Sequence, residues 1–227
     1  MATFDLIIFD CDGVLVDSEP LAMRVLLETV AECGLVMAPE RAYELFLGRS
    51  LAGITAMLQK EHGVNLDAYA LERMRVKLYD AFRKELRPVD GVGSVLSSLT
   101  TPLCVASSSQ VERVRLALQV TGLLPFFEGR IFSATMVASG KPAPDIFLYA
   151  AGRMGAEPER CVVIEDSPAG IEAARRAGMR VLAFTGASHA SSPAHRETLS
   201  RLQPDLVFDT MEDLPDHLAR LAAMHKV

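Results

Sequence analysis

The sequence predicts an α/β protein that is built on a parallel sheet and interrupted by one helical segment. Three observations support this prediction. Short apolar runs recur along the chain, segments with the apolar period of a helix lie between most of them, and one long stretch near the N-terminus has helical periodicity without a clear β run. Strands that alternate with helices of about ten residues are typical of βαβ units.

The first strand is predicted at residues 4–9, where the run FDLIIF suits a strand that is buried on both faces. The stretch HASSPAH, at residues 189–195, is interpreted as a polar surface loop. Later apolar runs predict strands at residues 102–106 (PLCVA), 161–164 (CVVI), 180–184 (RVLAF) and 205–208 (DLVF). Helices are predicted at residues 111–120, 145–154 and 168–177, the last with Pro168 in its first turn and Gly178 as its stop.

Residues 18–86 form the predicted helical insertion. Leu, Met and Ala recur there at helical spacing, as in LAMRVLLETVAECG, and Gly and Pro residues divide the stretch into several helices. Two short linkers would join it to the rest of the chain. The predicted domains are therefore an α/β core domain of residues 1–17 and 87–227 and an α-helical domain of residues 18–86.

The charge balance argues against a nucleic-acid partner. Of 227 residues, 29 are Asp or Glu and 23 are Lys or Arg, which gives a net charge of −6, whereas a nucleic-acid footprint needs a basic face. A small anionic substrate remains compatible, because a few local cations or a metal outweigh a mild overall charge. No apolar run approaches the roughly 18 residues of a membrane span, so no membrane partner is expected.

The cysteine pattern and the N-terminal residues predict a cytoplasmic protein. Cys11, Cys33, Cys104 and Cys161 form no CxxC pair and are expected to be buried thiols in a reducing compartment. The chain enters its first strand almost at once, and we expect no signal peptide because a basic segment with a cleavage site is missing.

Polar side chains follow three of the predicted strands, at the edge where parallel sheets bind ligands. Like charges about 4 Å apart repel by roughly 4 kcal/mol at an effective dielectric near 20, so crowded carboxylates at this edge need cations. Mg²⁺ suits hard oxygen ligands that leave positions open for phosphate and water, and Lys141 in SGKPAPD would supply a second cation. The side chains are Asp10 and Asp12, then Ser107, Ser108 and Ser109, then Glu165, Asp166 and Ser167.

Taken singly, each feature has an ordinary structural explanation. Two acids one residue apart are often solvated turn residues, and neighbouring serines are typical of a helix N-cap. Acids before Ser-Pro suit a helix start, near the positive end of its dipole, and Lys141 alone would be an exposed lysine. Their order along the chain, each after a predicted strand or in its loop, favours one shared site.

Together the four motifs resemble those of the haloacid dehalogenase superfamily, in its branch of phosphatases and β-phosphoglucomutase-like proteins. DCDGVLVDSE is similar to the first motif, VASSS to the second, SGKPAPD to the third and VIEDSPAGIEAARRAGM to the fourth. The resemblance covers most of the chain. It implies a doubly wound, Rossmann-like sheet core with an inserted, mobile α-helical cap domain of the C1 type, here residues 18–86.

The resemblance also implies a role for each motif residue. Asp10 would be the nucleophile that becomes an aspartyl phosphate, and Asp12 the general acid for the leaving oxygen and then the base that activates water. Ser107 and Ser108 would bind the phosphate, and Lys141 would pair with Asp10 and the transferring group. The implied Mg²⁺ set is Asp10, Asp12 through its backbone carbonyl, Asp166, and Glu165. Glu165 would be either a direct ligand or a residue that contacts the ligands.

Within this superfamily the sequence favours a phosphatase, with a sugar phosphomutase of the β-phosphoglucomutase type as the alternative. Dehalogenases and phosphonatases resemble it but lack the second aspartate, whereas Asp12 is present here. The mutases carry a cap histidine shortly after the first motif, and residues 18–24 contain none. A non-catalytic phospholigand-binding module on the same fold is disfavoured, because each catalytic residue type is intact.

The predicted substrate is a small phosphorylated metabolite, such as a sugar, polyol or sugar-acid phosphate. Arg49, in a break between predicted helices (LFLGRSLAG), is the leading candidate to contact it. Arg75 and Lys77 are weaker candidates, because a solvated helix face also explains them. The expected assembly is a monomer or a small homo-oligomer.

Overall fold

The computed structural model describes residues 4–46, 51–191 and 193–224, and the chain divides into two compact units. Unit 1 combines Met1–Asp17 with Arg87–Val227, and unit 2 is Ser18–Leu86. Among the described residues, no helix combines the length and the apolar character that crossing a membrane requires.

Unit 1 is built on a six-stranded parallel sheet. Its strand order, β3-β2-β1-β4-β5-β6, places β1 at the centre, which is the order of doubly wound, Rossmann-like folds. The predicted fold class is therefore confirmed. Phe9 pairs with Val105 and with Ile164, so the residues that follow β1, β2 and β4 meet at one edge. The strands are β1 (Leu6–Phe9), β2 (Leu103–Ser107), β3 (Ile131–Ser133), β4 (Cys161–Glu165), β5 (Arg180–Phe184) and β6 (Leu206–Phe208).

Ten α-helices lie within the described residues. The helices predicted at residues 111–120 and 145–154 are confirmed at those bounds, and the one predicted from Pro168 ends at Arg176. Unit 2 contains α1 (Glu19–Glu32), α2 (Pro39–Phe46), α3 (Leu51–His62) and α4 (Ala68–Glu85). Unit 1 contains α5 (Val92–Ser98), α6 (Val111–Val120), α7 (Asp145–Met154), α8 (Pro168–Arg176), α9 (Pro193–Arg201) and α10 (Leu214–Met224).

The core of unit 1 fixes the central strand in place. All four residues of β1 are buried, and Leu6 and Ile8 belong to one apolar cluster with Ala150 of α7 and Ile171 of α8. Each large apolar side chain that is fully buried contributes about 1.5–3 kcal/mol relative to exposure. The residue that follows β1, Asp10, is thus held on a rigid support.

Unit 2 has a core of its own. Met23 and Val30 of α1 cluster with Phe46 of α2 and Leu58 of α3, and all of them are buried. The helix α4 begins at the N-cap Asp67, whose carboxylate accepts a hydrogen bond of 2.8 Å from the backbone N–H of Ala70.

Two strand boundaries differ from the prediction in a way that matters for the site. β2 extends to Ser107 and β4 extends to Glu165, so both residues belong to the sheet rather than to the loops. Ser107 pairs with Ser133 of β3, and Glu165 pairs with Ala183 of β5. The sequence analysis missed β3, because a three-residue edge strand is too short to show a period.

The four cysteines are free thiols, and Cys11, Cys104 and Cys161 are buried as predicted, whereas Cys33 is half-buried. Burial raises the pKa of the Cys161 thiol to about 11. Burial also raises the pKa of Cys11, and the neighbouring charges of Asp12 and Asp10 add to the effect. The Cys11 and Cys161 thiols are therefore poor nucleophiles at neutral pH.

The chain segments that lead into and out of residues 18–86 run side by side in unit 1. Val16 forms an antiparallel bridge with Pro88. The backbone N–H of Asp17 donates to the carbonyl of Arg87 at 3.1 Å, and that of Val89 donates to the carbonyl of Leu15 at 3.0 Å. The two connections are thus joined to each other.

Candidate active site

Lys141 lies at the centre of the candidate site. Its Nζ lies 2.6 Å from Asp10 Oδ1 and 2.6 Å from Glu165 Oε1, and it donates to the carbonyl of Ala106 at 3.0 Å. Its side chain is only 3% exposed. Burial favours the neutral amine, but the charges of Asp10 and Glu165 outweigh burial and raise the pKa of Lys141 above its ordinary value. Lys141 is therefore a permanent buried cation.

Asp10 follows β1 directly, and its backbone N–H donates to the carbonyl of Ile164 at 3.0 Å. Burial raises the pKa of Asp10 well above its ordinary value, Lys141 opposes this shift, and Glu165 and the other nearby carboxylates add to it. No donor among the described residues reaches its second oxygen, Oδ2. The side chain thus presents an oxygen that is available to a substrate or a cation.

Glu165, the last residue of β4, is bonded through both carboxylate oxygens. Oε1 contacts Lys141, and Oε2 accepts from the backbone N–H groups of Asp166 and Ser167, both at 2.8 Å, and from the Ser167 hydroxyl at 2.9 Å. A Cβ at Gly170 would lie 1.7 Å from Oε1, so the carboxylate also fills the space beside α8. Both oxygens of Glu165 therefore have protein donors, and its part in the metal set, as a direct ligand or as a residue that contacts the ligands, stays a prediction.

Asp166 is the first residue after β4, and two histidines contact it. His189 Nε2 lies 2.9 Å from Asp166 Oδ2, and His195 Nε2 lies 2.9 Å from the Asp166 carbonyl oxygen. Because a carboxylate and a carbonyl can only accept, both ring nitrogens act as donors. Burial lowers the pKa of His195; its bond to the Asp166 carbonyl opposes this shift, and the neighbouring His189 adds to it.

The interpretation of residues 189–195 as a polar surface loop was wrong for His189, Ala190 and His195, which are buried or half-buried. The His189 side chain is 4% exposed, and Ala190 is fully buried. The segment follows β5, so it belongs to the same sheet edge as the residues after β1, β2 and β4. The signal that could have found it is the end of the predicted strand at Phe184, four residues before Ser188.

Asp12 is held by side-chain donors from residues that follow β2. Its Oδ2 accepts from the Ser109 hydroxyl at 2.7 Å, and its Oδ1 accepts from Arg113 Nη2 at 2.8 Å. The sequence analysis did not identify Arg113, which lies in the first turn of α6. A helical period predicts the helix but not which of its side chains reaches another element.

Ser107 and Ser108 have different surroundings. Ser107 is buried, and its hydroxyl oxygen accepts from the backbone N–H of Ser109 at 3.1 Å. Ser108 is exposed. The structure thus brings Ser107 and Ser109 into the bonded network, and Ser108 remains a prediction as a phosphate contact.

The candidate substrate residues of unit 2 have separate outcomes. Arg49 lies outside the described residues. Arg75 pairs with Glu72 one turn away at 2.6 Å, and Lys77 pairs with Glu32 of α1. These contacts agree with a solvated helix face for Arg75 and Lys77.

The donor chemistry of this edge fits a divalent cation. Asp10, Asp12, Glu165 and Asp166 bring four carboxylates, and within the described residues their permanent cationic partners are Lys141 and Arg113. A hard divalent cation would balance the two remaining negative charges. No three His, Cys, Asp or Glu side chains among the described residues are already arranged as a ligand set.

We expect Gly13→Ala to damage this edge of the site. Gly13 has φ +82°, and a Cβ there would lie 2.0 Å from Asp166 Oδ2. Gly122→Ala is a matched control, because Gly122 has φ +75° and nothing lies within 4 Å of its added Cβ. Left-handed backbone costs each variant about 1–2 kcal/mol, and the clash should cost Gly13→Ala roughly 1–3 kcal/mol more. Equal free energies of unfolding for the two variants would contradict this packing.

Comparison with known proteins finds a family, a relative and two structures that resemble this chain. The model of the haloacid dehalogenase-like hydrolase family matches residues 4–178. The chain is 32% identical to the 6-phosphogluconate phosphatase of Escherichia coli (strain K12), over 86% of this chain and 89% of that protein.

Two solved structures are similar over nearly their whole length. A haloacid dehalogenase-like protein from Agrobacterium tumefaciens str. C58 has 42% identity and a TM-score of 0.85, over 96% of this chain and 99% of that one. A HAD family hydrolase from Deinococcus radiodurans R1, with bound phosphate and sodium, has 33% identity and a TM-score of 0.78, over 98% of each chain.

Proposed function

Because the chain belongs to the haloacid dehalogenase-like hydrolases, we propose that it is a Mg²⁺-dependent phosphatase that hydrolyses a small phosphate monoester through an aspartyl phosphate on Asp10. The observation that carries this proposal is the buried contact of Lys141 with Asp10 and Glu165. A permanent cation beside a buried carboxylate keeps that carboxylate available as a nucleophile.

In the first step, a carboxylate oxygen of Asp10 attacks phosphorus and the ester oxygen leaves. Asp12 gives its proton to the leaving oxygen, which departs as an alcohol. The Ser107 hydroxyl and Lys141 would contact the phosphoryl oxygens, on which negative charge is spread in the transition state.

In the second step, water attacks phosphorus of the aspartyl phosphate, and Asp12 accepts a proton from that water. The Asp10 carboxylate is released with inorganic phosphate, and Asp12 is again protonated for the next cycle. The contacts of Asp12 with Ser109 and Arg113 hold its carboxylate in place for both proton transfers.

Asp10, Asp166 and the Asp12 backbone carbonyl would hold Mg²⁺. When bound, Mg²⁺ would neutralise charge on the transferring phosphoryl group. We assign Glu165 a different role, because its contacts fix Lys141 and the backbone at Asp166 and Ser167.

The proposed substrate is a sugar, polyol or sugar-acid phosphate. The activity of the Escherichia coli relative on 6-phosphogluconate, indicated by its name, supports this class, and the phosphate in the Deinococcus radiodurans structure supports a phosphate site on this fold. We propose that unit 2 supplies substrate selection, with Arg49 as its leading residue.

The proposal predicts that the purified protein releases phosphate from members of this class only with Mg²⁺. A panel that includes 6-phosphogluconate, hexose phosphates and polyol phosphates should be assayed with Mg²⁺, with EDTA, and with EDTA followed by excess Mg²⁺. EDTA should abolish turnover and Mg²⁺ should restore it, whereas Ca²⁺ should inhibit because its coordination is larger and looser. Full activity in chelator would contradict the metal assignment.

An isotope experiment separates hydrolysis from the mutase alternative. A hydrolase run for a single turnover in ¹⁸O water should place the label in released phosphate. Conversion of glucose 1-phosphate to glucose 6-phosphate, with little free phosphate, would establish the mutase instead.

A further inference from the structure

We propose that His189 is a positioning residue that orients the Asp166 carboxylate for cation binding. This inference rests on the proposed function, in which Asp166 is a Mg²⁺ ligand. Its observation is the contact of His189 Nε2 with Asp166 Oδ2 at 2.9 Å, between side chains that are 4% and 8% exposed.

The backbone of Asp166 is already fixed before its side chain is considered. Its N–H donates to Glu165 Oε2, and its carbonyl accepts from His195. The next residue, Ser167, caps α8 by accepting from the N–H of Gly170 at 3.0 Å. What remains to be set is the rotation of the carboxylate.

Gly13 and His189 define the space that this carboxylate occupies. An added Cβ at Gly13 would lie 2.0 Å from Asp166 Oδ2 and 2.7 Å from His189 Cε1, so the three residues are in close packing. Gly13 bounds this space with its backbone alone, and His189 supplies the hydrogen bond to the Asp166 carboxylate. A carboxylate that is bonded in this way loses rotational freedom before a cation arrives.

His189 is itself held on both sides along the chain. The Ser188 hydroxyl donates to Asp17 Oδ1 at 2.8 Å, and the backbone N–H of Ala190 donates to the carbonyl of Ala187 at 3.0 Å. Ala187 and Ala190 are buried. The imidazole is therefore presented from an anchored segment, as positioning requires.

The test measures Mg²⁺ binding by calorimetry without substrate, so that it does not depend on activity. Removing the hydrogen-bond partner of a metal ligand typically costs about 10–100-fold in affinity, and we expect this loss for His189→Ala. His189→Gln keeps an N–H donor of similar reach and should recover most of the affinity. His62→Ala, an exposed histidine on α3, should leave the affinity unchanged.

The variant Asp166→Asn separates this inference from the proposed function. If Asp166→Asn binds Mg²⁺ as the wild type does, the assignment of Asp166 as a ligand fails. If Asp166→Asn loses affinity while His189→Ala folds and keeps it, only the role of His189 is overturned. Should His189→Ala fail to fold, His189→Gln and His189→Leu are compared instead. Wild-type affinity in His189→Gln with a large loss in His189→Leu would support the proposal. Equal affinities in the two variants would overturn it.

A spectroscopic measurement distinguishes positioning from direct coordination. With Mn²⁺ in place of Mg²⁺, we expect no ¹⁴N coupling from His189 in electron spin-echo spectra. A nitrogen coupling that disappears in His189→Gln would make the imidazole a metal ligand and overturn the positioning role.

Discussion

Asp10→Asn is expected to lower kcat by a factor on the order of 10⁴ or more for every substrate, because an amide is a poor nucleophile. The measurement is phosphate release at saturating Mg²⁺. Asp5→Asn is the matched control, since Asp5 precedes β1 and forms an exposed ion pair with Arg160. Activity of Asp10→Asn within tenfold of wild type would exclude Asp10 as the nucleophile.

The same variant should not be less stable than the wild type when metal is absent. Burial raises the folded-state pKa of Asp10, so the native state binds this proton more tightly than the unfolded state does. Ionised Asp10 therefore lowers the free energy of unfolding at neutral pH, and this cost disappears as pH falls below the unfolded value of about 4. Denaturant unfolding in chelator should show Asp10→Asn at least as stable as wild type at pH 7, with the difference vanishing in acid.

Lys141→Met is expected to lose both activity and stability. The substitution keeps an unbranched side chain, one atom shorter than that of lysine, but leaves the buried carboxylates of Asp10 and Glu165 without their shared cation. Breaking a buried pair in this way costs about 3–5 kcal/mol of unfolding free energy. Because a transition-state contact is also lost, kcat should fall by roughly 10²–10³-fold.

Lys60→Met on α3 removes an exposed lysine and should change neither quantity measurably. The stability lost by Lys141→Met should shrink as pH falls, because protonation neutralises Asp10, whose folded-state pKa burial already raises and Lys141 no longer opposes. A variant that stays fully stable at neutral pH would mean that Asp10 and Glu165 are not ionised together in the folded protein.

The sequence predicted most of the sheet because its strands are continuous apolar runs. β1 and β4 are buried along their whole length, so an apolar run is enough to indicate a strand in the interior of the sheet. Short β3 could not be predicted in this way. Its place at the edge depends on pairing with β2, which a local pattern does not encode.

The candidate site was predicted in part for a similar physical reason. In a parallel sheet, the carboxyl ends of the strands lie at the same edge, which brings together Asp10, Ser107 and Asp166. The same rule applied to β5 leads to His189, but its polar sequence was interpreted as a surface loop. The contact of Arg113 with Asp12 joins α6 to the first motif, and only tertiary packing decides such a contact.

The position of β1 in the sheet has a consequence for protein synthesis. β1 is translated before the other five strands, yet Ile7 must pair with Leu103 and with Val162, which are translated later. Unit 2, which ends at Leu86, is translated before either partner and contains its own apolar core. The nascent chain must therefore hold the apolar strand β1 unpaired while unit 2 is synthesised, which leaves β1 open to chaperones and to aggregation during that time.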